Sequence, residues 1–515
     1  MDILIITISS ILYFSVAHGA EPNSELLLST EASTVESFSA AVLDSSSHSS
    51  NSTLTPWPEI TNGLPSDFLT SDEGISTTAS TITSASTGTE STKEFEEGSL
   101  PPAPTTPFPD TAPTDPPLPE MARPCDQMAC RLPFCYCQGY QIPGGLSAND
   151  TPQMVLTTFD GAINMHNYPL YTQMYHNERV NPNGCPVRAT FFVSHRWTDY
   201  SNVQNLYATG HEIALRGVAL TGDQLNATYE NFTEDIVAFQ QIAKNFADVD
   251  PQDMVGQRAP YLKTAGDDQF LAAFDAKLLY DASILNPNTT PVWPFTLDYA
   301  TPFQCPEWYP PCPLLSYPGL WEIPATRMVG PTGIPYGFYS AYEFPKNPIE
   351  VAEVLMKFFK AHYEGNRAPF TLNGLSYWFG TAEYRLGFEL FLEQLLRLPD
   401  VWIVTASQLI SWMQRPTPLS SIKDFPAFKC DRPRTAQPCD TGKTCRTFLE
   451  GEEIYFSTCK RCPFTFPYLK NYNGCFNDPC PTPIVEYADS VSALCCSYVV
   501  HVIMLLLALS VAIKI

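Results

Sequence analysis

Basic residues are scarce in this 515-residue chain: 29 Lys and Arg stand against 54 Asp and Glu, a formal net charge of −25. A polyanion needs a cationic face to land on, so nucleic acid is not an expected partner. The scarcity is uneven. Residues 21–120 hold one base, Lys93, against 16 acids, a net of −15, which leaves the rest of the chain only mildly acidic. That hundred also lacks cysteine and contains 49 Ser, Thr or Pro, too little apolar surface to offset the entropy of ordering. It is expected to be a disordered, mucin-like stalk, extended as polyproline over Pro101–Pro119. No internal repeat breaks up the remainder.

What is present at the two ends points to a secretory route. Residues 1–20 have a short apolar run, Ile3 to Phe14, followed by Ala17-His18-Gly19, the pattern of a cleavable signal peptide. Residues 489–515 form a hydrophobic tail, apolar from Val491 to Ile513 apart from small or weakly polar residues and His501. Only Lys514 and Ile515 follow it, so no cytoplasmic domain is expected. Small residues before the tail and the lack of a basic stop favour a glycosylphosphatidylinositol anchor signal over a single spanning helix. The chain is therefore expected to be extracellular and held at the membrane surface by its C-terminus. Sequons at Asn51, Asn149, Asn226, Asn231 and Asn288 fit that compartment.

The cysteines carry the same implication. Setting aside Cys495 and Cys496 in the tail, fourteen remain: Cys125, Cys130, Cys135, Cys137, Cys185, Cys305, Cys312, Cys430, Cys439, Cys445, Cys459, Cys462, Cys475 and Cys480. An even set in a secreted chain reads as disulfides rather than zinc ligands, and spacing leaves the connectivity open. The domains expected are a cysteine-rich lead over 121–149, a catalytic-type core over 150–420 and a cysteine-rich extension over 421–488.

Within that core, β-type runs alternate with helical periodicity, the order of a parallel α/β architecture. Strands are expected at Met154–Asp160, Arg188–His195, His211–Leu215, Met254–Leu262, Leu278–Leu285, Trp321–Met328, Phe370–Phe379 and Val401–Thr405. Helices are expected through Phe232–Phe246, beginning after the Asn231 sequon, through Glu350–His362 and through Phe388–Leu396. Seven or eight such units in some 270 residues are about the size of one closed barrel.

The organising stretch is Met154 to Ala162, a buried-strand sequence that delivers Asp160 to its end. With Asn181-Pro182-Asn183-Gly184-Cys185-Pro186, Val193 to Tyr200, Arg258-Ala259-Pro260-Tyr261, Tyr280-Asp281-Ala282-Ser283, Trp293 to Tyr299 and Asp400 to Thr405, it resembles the NodB-type polysaccharide deacetylases, in their animal chitin deacetylase-like branch. The resemblance spans nearly all of Cys125 to Gly474. It implies a distorted (β/α) barrel with its site at the C-terminal ends of the strands, and hydrolysis of the acetamide bond of N-acetylglucosamine polymers on a divalent metal.

The residues the resemblance assigns to that chemistry are changed. The metal aspartate aligns with Gly161, the two metal histidines with Arg216 and Leu220, and the acid histidine with Leu375. Glycine and leucine offer no lone pair, and a guanidinium repels a cation. Asp160 and Arg258 match the family's base and its charge partner, and Asp281 the residue that orients the acid; without a metal, Asp160 and Arg258 are expected to form an ion pair joined by Arg216. Tyr261, Trp293 and Trp378, with Trp308 and Trp321, are candidates for stacking on sugar rings. The reading is a non-catalytic member, without a cofactor, that binds chitin-like or other N-acetylated glycan or an extracellular protein. The alternatives are an atypical deacetylase using Asp160 as base, and an adhesive or coat protein.

Overall fold

The computed structural model describes residues 119–222, 224–301, 311–430 and 436–477. The expected signal peptide, the expected stalk up to residue 118, the expected anchor tail, Asn51, Cys305, Cys480 and Trp308 lie outside the described residues.

The barrel is built on Gln153–Gly161 (β1), a nine-residue strand buried at every position but its last. Unbroken burial needs apolar or β-branched side chains on both faces, and Met154-Val155-Leu156-Thr157-Thr158-Phe159 supplies them. After β1 come Tyr168–Met174 (α1), Thr190–Ser194 (β2), Tyr200–Ala208 (α2), Glu212–Gly217 (β3) and Tyr229–Ala247 (α3). Gly256–Gln257 (β4), Asp267–Asp275 (α4), Tyr280–Asp281 (β5), Phe295–Leu297 (β6), Tyr317–Glu322 (β7), Met328–Val329 (β8) and Pro335–Tyr336 (β9) follow. Pro348–Tyr363 (α5), Phe370–Leu375 (β10), Ala382–Leu396 (α6), Val401–Ile403 (β11) and Ala406–Gln414 (α7) complete the barrel, and Lys443–Leu449 (β12) and Glu452–Thr458 (β13) form a separate hairpin.

Strand order is β10-β1-β2-β3-β4-β5-β7-β6, with β11 also pairing β1. Every ladder of this sheet is parallel except the outer one between β6 and β7. The expected closure is not made by a ladder: the sheet is curled, and β7 and β10 do not pair. Two threonines bridge the gap instead, the Thr326 amide donating to Thr371 Oγ1 at 2.7 Å and the Thr371 amide donating to Thr326 Oγ1 at 3.0 Å. They occupy amides that an open seam would leave unpaired. The cysteine-rich lead covers the β6 side, where the Thr296 amide donates to the Tyr136 carbonyl and the Tyr136 amide to Thr296 Oγ1. That protects an edge open to foreign strands.

Several expected strands are shorter than the sequence suggests. Pro260 has no amide to give a ladder, so β4 ends at Gln257 and Pro260–Leu262 is a 3-10 turn. Pro324 similarly follows the end of β7, and Ser376–Gly380 turns out of β10. Helix α3 starts two residues before the Asn231 sequon rather than after it, because Thr228 and Asn231 form a capping box. Packing on the barrel continues past Gln414 to Ile422, Phe425 and Phe428, which join Trp402 and Trp412 in one apolar cluster.

Disulfides join Cys125 to Cys137, Cys130 to Cys135, Cys185 to Cys430, Cys439 to Cys459 and Cys445 to Cys462; Cys312 and Cys475 are disulfide-bonded as well. The hairpin they staple lies against α2. The Ser457 amide donates to Asp199 Oδ1 at 2.9 Å, and Phe456 meets Tyr200 and Phe246 edge-on.

Candidate functional site

Parallel registration brings the key positions to one rim. Asp160 lies across from Leu375 on β10 and from Phe192 on β2, one residue before β1 ends. Arg258 follows β4 directly, and Arg216 is the penultimate residue of β3. All stand at the C-terminal ends of the strands, where (β/α) barrels carry their sites.

Asp160 is an ion-paired, enclosed carboxylate. Its Oδ1 accepts from Arg258 Nη1 at 2.8 Å, Arg216 Nε stands 3.5 Å from Oδ2, and its side chain is 0% exposed. Burial raises the carboxyl above its ordinary range, and the Arg258 and Arg216 charges oppose that. Arg258 uses four of its five N–H donors. It donates to Ala282 O, Thr158 Oγ1, Asp160 Oδ1 and Asn373 Oδ1 at 2.7–3.0 Å, and its Cζ lies 3.9 Å from the centre of the Phe192 ring. Thr158 and Asn373, which sequence reasoning missed, are tied to one another at 2.8 Å and hold this guanidinium in place.

At the positions that the resemblance assigns to metal ligands, Gly161, Arg216 and Leu220, the side chains offer no donor set for an ion. Gly161 has φ +117°, and a Cβ there would meet nothing within 4 Å; space is present, but the backbone is one that L side chains rarely adopt. After β3 the chain turns at Gly217, φ +126°, where a Cβ would strike Asp235 Oδ2 and the Leu220 carbonyl at 2.8 Å. The turn wraps its amides around Asp235, with Val218, Ala219 and Leu220 donating at 2.9, 2.7 and 3.1 Å. Leu220 packs its side chain on the barrel core. A small recess of about 30 Å³ is lined by Arg216, Leu220, Asp235, Gln257 and Arg258.

Two buried histidines, His195 and His211, are both hydrogen-bonded. His195 Nε2 lies 2.7 Å from the Pro467 carbonyl, which only accepts, so this nitrogen carries the hydrogen and Nδ1 accepts from Tyr200. Burial takes its pKa down to about 4. His211 Nδ1 accepts from the Ala189 amide at 3.1 Å. Among the described residues, the one group of three potential ligands drawn close together is Cys125, Cys130 and Cys137, and all three are in disulfides.

Asp281 keeps a full set of donors, Gln257 and Gln269 to Oδ2 at 3.0 Å and the Ser283 amide to Oδ1 at 2.8 Å. Glu322, paired with it across β5 and β7, was also missed; an acid in Leu320-Trp321-Glu322-Ile323 was the available signal. Among the aromatic candidates, Tyr261 is 58% exposed, but Trp293 (0%), Trp321 (1%) and Trp378 (3%) are core. Trp293 stacks on Trp412 and Trp378 on Tyr384, so neither presents a face to a sugar. Trp197 and Tyr377, exposed after β2 and β10, were not anticipated. The described sequons Asn149, Asn226, Asn231 and Asn288 are exposed.

Comparison with known proteins gives two close resemblances. The chain is 34% identical over 375 residues to Chitin deacetylase 1 of Bombyx mori, covering 69% of each chain. It is 33% identical over 368 residues to Chitin deacetylase 8 of Bombyx mori, covering 69% of this chain and 94% of that one. Among solved structures, the chitin deacetylase of the fungal pathogen Colletotrichum lindemuthianum is 13% identical, with a TM-score of 0.29 over 50% of this chain and 88% of that one. No family model matches.

Proposed function

The chain belongs to the chitin deacetylase family, and we propose that within it this protein binds N-acetylated glycan at the rim of its barrel strands without hydrolysing it. The observation that carries this reading is the enclosure of Asp160. A general base must reach the proton of the attacking water, and this carboxylate lies between two guanidiniums with its side chain wholly covered. Gly161, Arg216 and Leu220 leave the metal positions without donor atoms, so no step is assigned to a metal. Leu375, at the acid position, has no proton to give a leaving amine. The exposed Trp197, Tyr261 and Tyr377 on turns following β2, β4 and β10 offer faces for sugar rings. The disulfides support secretion, and the tail is proposed to anchor the protein at the cell surface. Among the described residues no helix is long and apolar enough to cross a membrane.

The test is titration of the purified protein with chitotetraose, with free acetate measured in parallel under added zinc. Binding without acetate above the blank is the expected result. Acetate release in proportion to protein, lost in Asp160→Asn, would overturn it in favour of the atypical deacetylase. Neither binding nor release would leave the adhesive or coat role.

A further inference from the structure

The β12–β13 hairpin turns one face into the barrel and the other to solvent. Cys445, Ile454 and Phe456 are buried on the inner face, and Arg446, Phe448, Glu453 and Tyr455 stand on the outer one. Register sets Arg446 across from Tyr455 and Phe448 across from Glu453. A third segment widens the sheet. The Phe448 amide donates to the Phe464 carbonyl at 3.2 Å, the Phe466 amide donates to the Phe448 carbonyl at 2.9 Å, and the Phe464 ring lies 5.6 Å from that of Phe448. Tyr455 is 52% exposed and Phe464 38%.

This outer face is held in one arrangement. Arg446 grips Glu453 through Nε at 2.7 Å and Nη2 at 3.1 Å, and the Tyr455 hydroxyl donates to the same carboxylate, which fixes the ring. Cys439–Cys459 and Cys445–Cys462 staple the strands. An exposed ion pair adds little to stability, so folding alone does not account for so ordered a ring. The charges of Arg446 and Glu453 cancel and give no preference for an ionic ligand. Polar groups between the rings also interrupt the continuous apolar patch that a lipid surface or a large protein interface needs. Rings alternating with donors and acceptors suit a pyranose chair, whose C–H faces stack on aromatics and whose hydroxyls bond at its edges. The hairpin also joins the rim. Arg196 pairs with Glu452 at the hairpin turn at 2.5 Å, and its Cζ lies 5.3 Å from the centre of the exposed Trp197 ring.

We infer that the outer face of the hairpin is a second glycan platform, taking a further stretch of the polysaccharide whose other sugars occupy the rim. Tyr455 and Phe464 offer stacking faces, and Arg446 and Glu453 meet hydroxyls between them. The ligand class is an uncharged, β-linked pyranose polymer long enough to pass over Trp197 onto the hairpin. This rests on the glycan-binding reading above and narrows it from oligosaccharides to polymer. Two weak sites on one rigid body hold a chain that spans both far more tightly than either site alone.

The experiment measures binding of the full secreted chain to chitotetraose and to chitin beads. Tyr455→Ala is expected to lose about tenfold in affinity for the beads while its affinity for chitotetraose is unchanged, which also shows that the variant is folded. Phe464→Ala should behave in the same way and serves if the first variant fails to fold; Tyr455→Trp, which keeps a stacking face, should restore bead binding. Tyr261→Ala should weaken both ligands. Bead binding unchanged in both alanine variants, or an equal loss on beads and tetramer, overturns the inference and leaves the glycan-binding reading standing. Binding to beads but not to chitotetraose, abolished in Tyr455→Ala, supports the platform and removes the rim reading. Failure of the wild type to bind either ligand overturns both.

Discussion

Glu322 is a buried acid set beside another acid, Asp281. Its Oε1 accepts from the Ile284 amide at 2.9 Å, while Oε2 is buried with no hydrogen-bonding donor, beside Asp281. Burial first, and then the Asp281 charge, push Glu322 well above the usual carboxylate range. Burial raises Asp281 as well, but its three donors oppose that, so Glu322 is the member of the pair pushed further toward holding a proton. A folded-state pKa above the unfolded one means this contribution is complete below the ordinary carboxylate range and is lost as pH rises through the raised value. Glu322→Gln places a permanent donor where that proton sits. Thermal unfolding at pH 5 and pH 8.5 should show the variant matching wild type at the lower pH and exceeding it by about 2 °C or more at the higher; an equal difference at both pH values would refute the shared proton. Such pairs escape sequence reading because the charge state of an acid depends on what lies across the sheet. Asp160, Arg258 and Arg216 were legible because they sit in motifs at strand ends. Trp293 and Trp378 were misread because composition does not say which face of an aromatic is covered.

At the level of elements, β1, β2, β3 and the start of β10 were legible because each is a run of buried apolar or β-branched residues with no proline inside it. β4 and β5 keep only two residues each, and proline chemistry hid the end of β4. The β12–β13 hairpin was not seen as strands at all: exposed Lys443, Arg446, Glu452 and Glu453 dilute its alternation. Its inner face is nevertheless part of the barrel core, with Cys445, Ile454 and Phe456 buried and Phe466 stacked on His195 at 4.4 Å. Phe456→Ala should therefore cost about 3–5 kcal/mol in urea unfolding of the whole protein, in one cooperative transition. A separate early transition with the barrel unaffected would mean that the hairpin is an independent appendage.

At the scale of the whole molecule, the sequence divides into a glycan-bearing stalk, a stapled barrel and a membrane anchor, of which the first and last are proposals. Phosphatidylinositol-specific phospholipase should release the protein from cells into the medium; retention until detergent is added would favour a spanning helix. Held by its C-terminus and pulled through its stalk, such a protein would carry tension along the shortest covalent path. Cys185–Cys430 joins positions 245 residues apart, so the load would cross that sulfur bridge and bypass everything from β2 to α7. Most of the strands that shape the rim, and both arginines that face Asp160, lie inside the bypassed loop. A tug strong enough to fray the lead or the terminal hairpin would leave those parts of the rim slack, like the hub of a wheel turned by its rope.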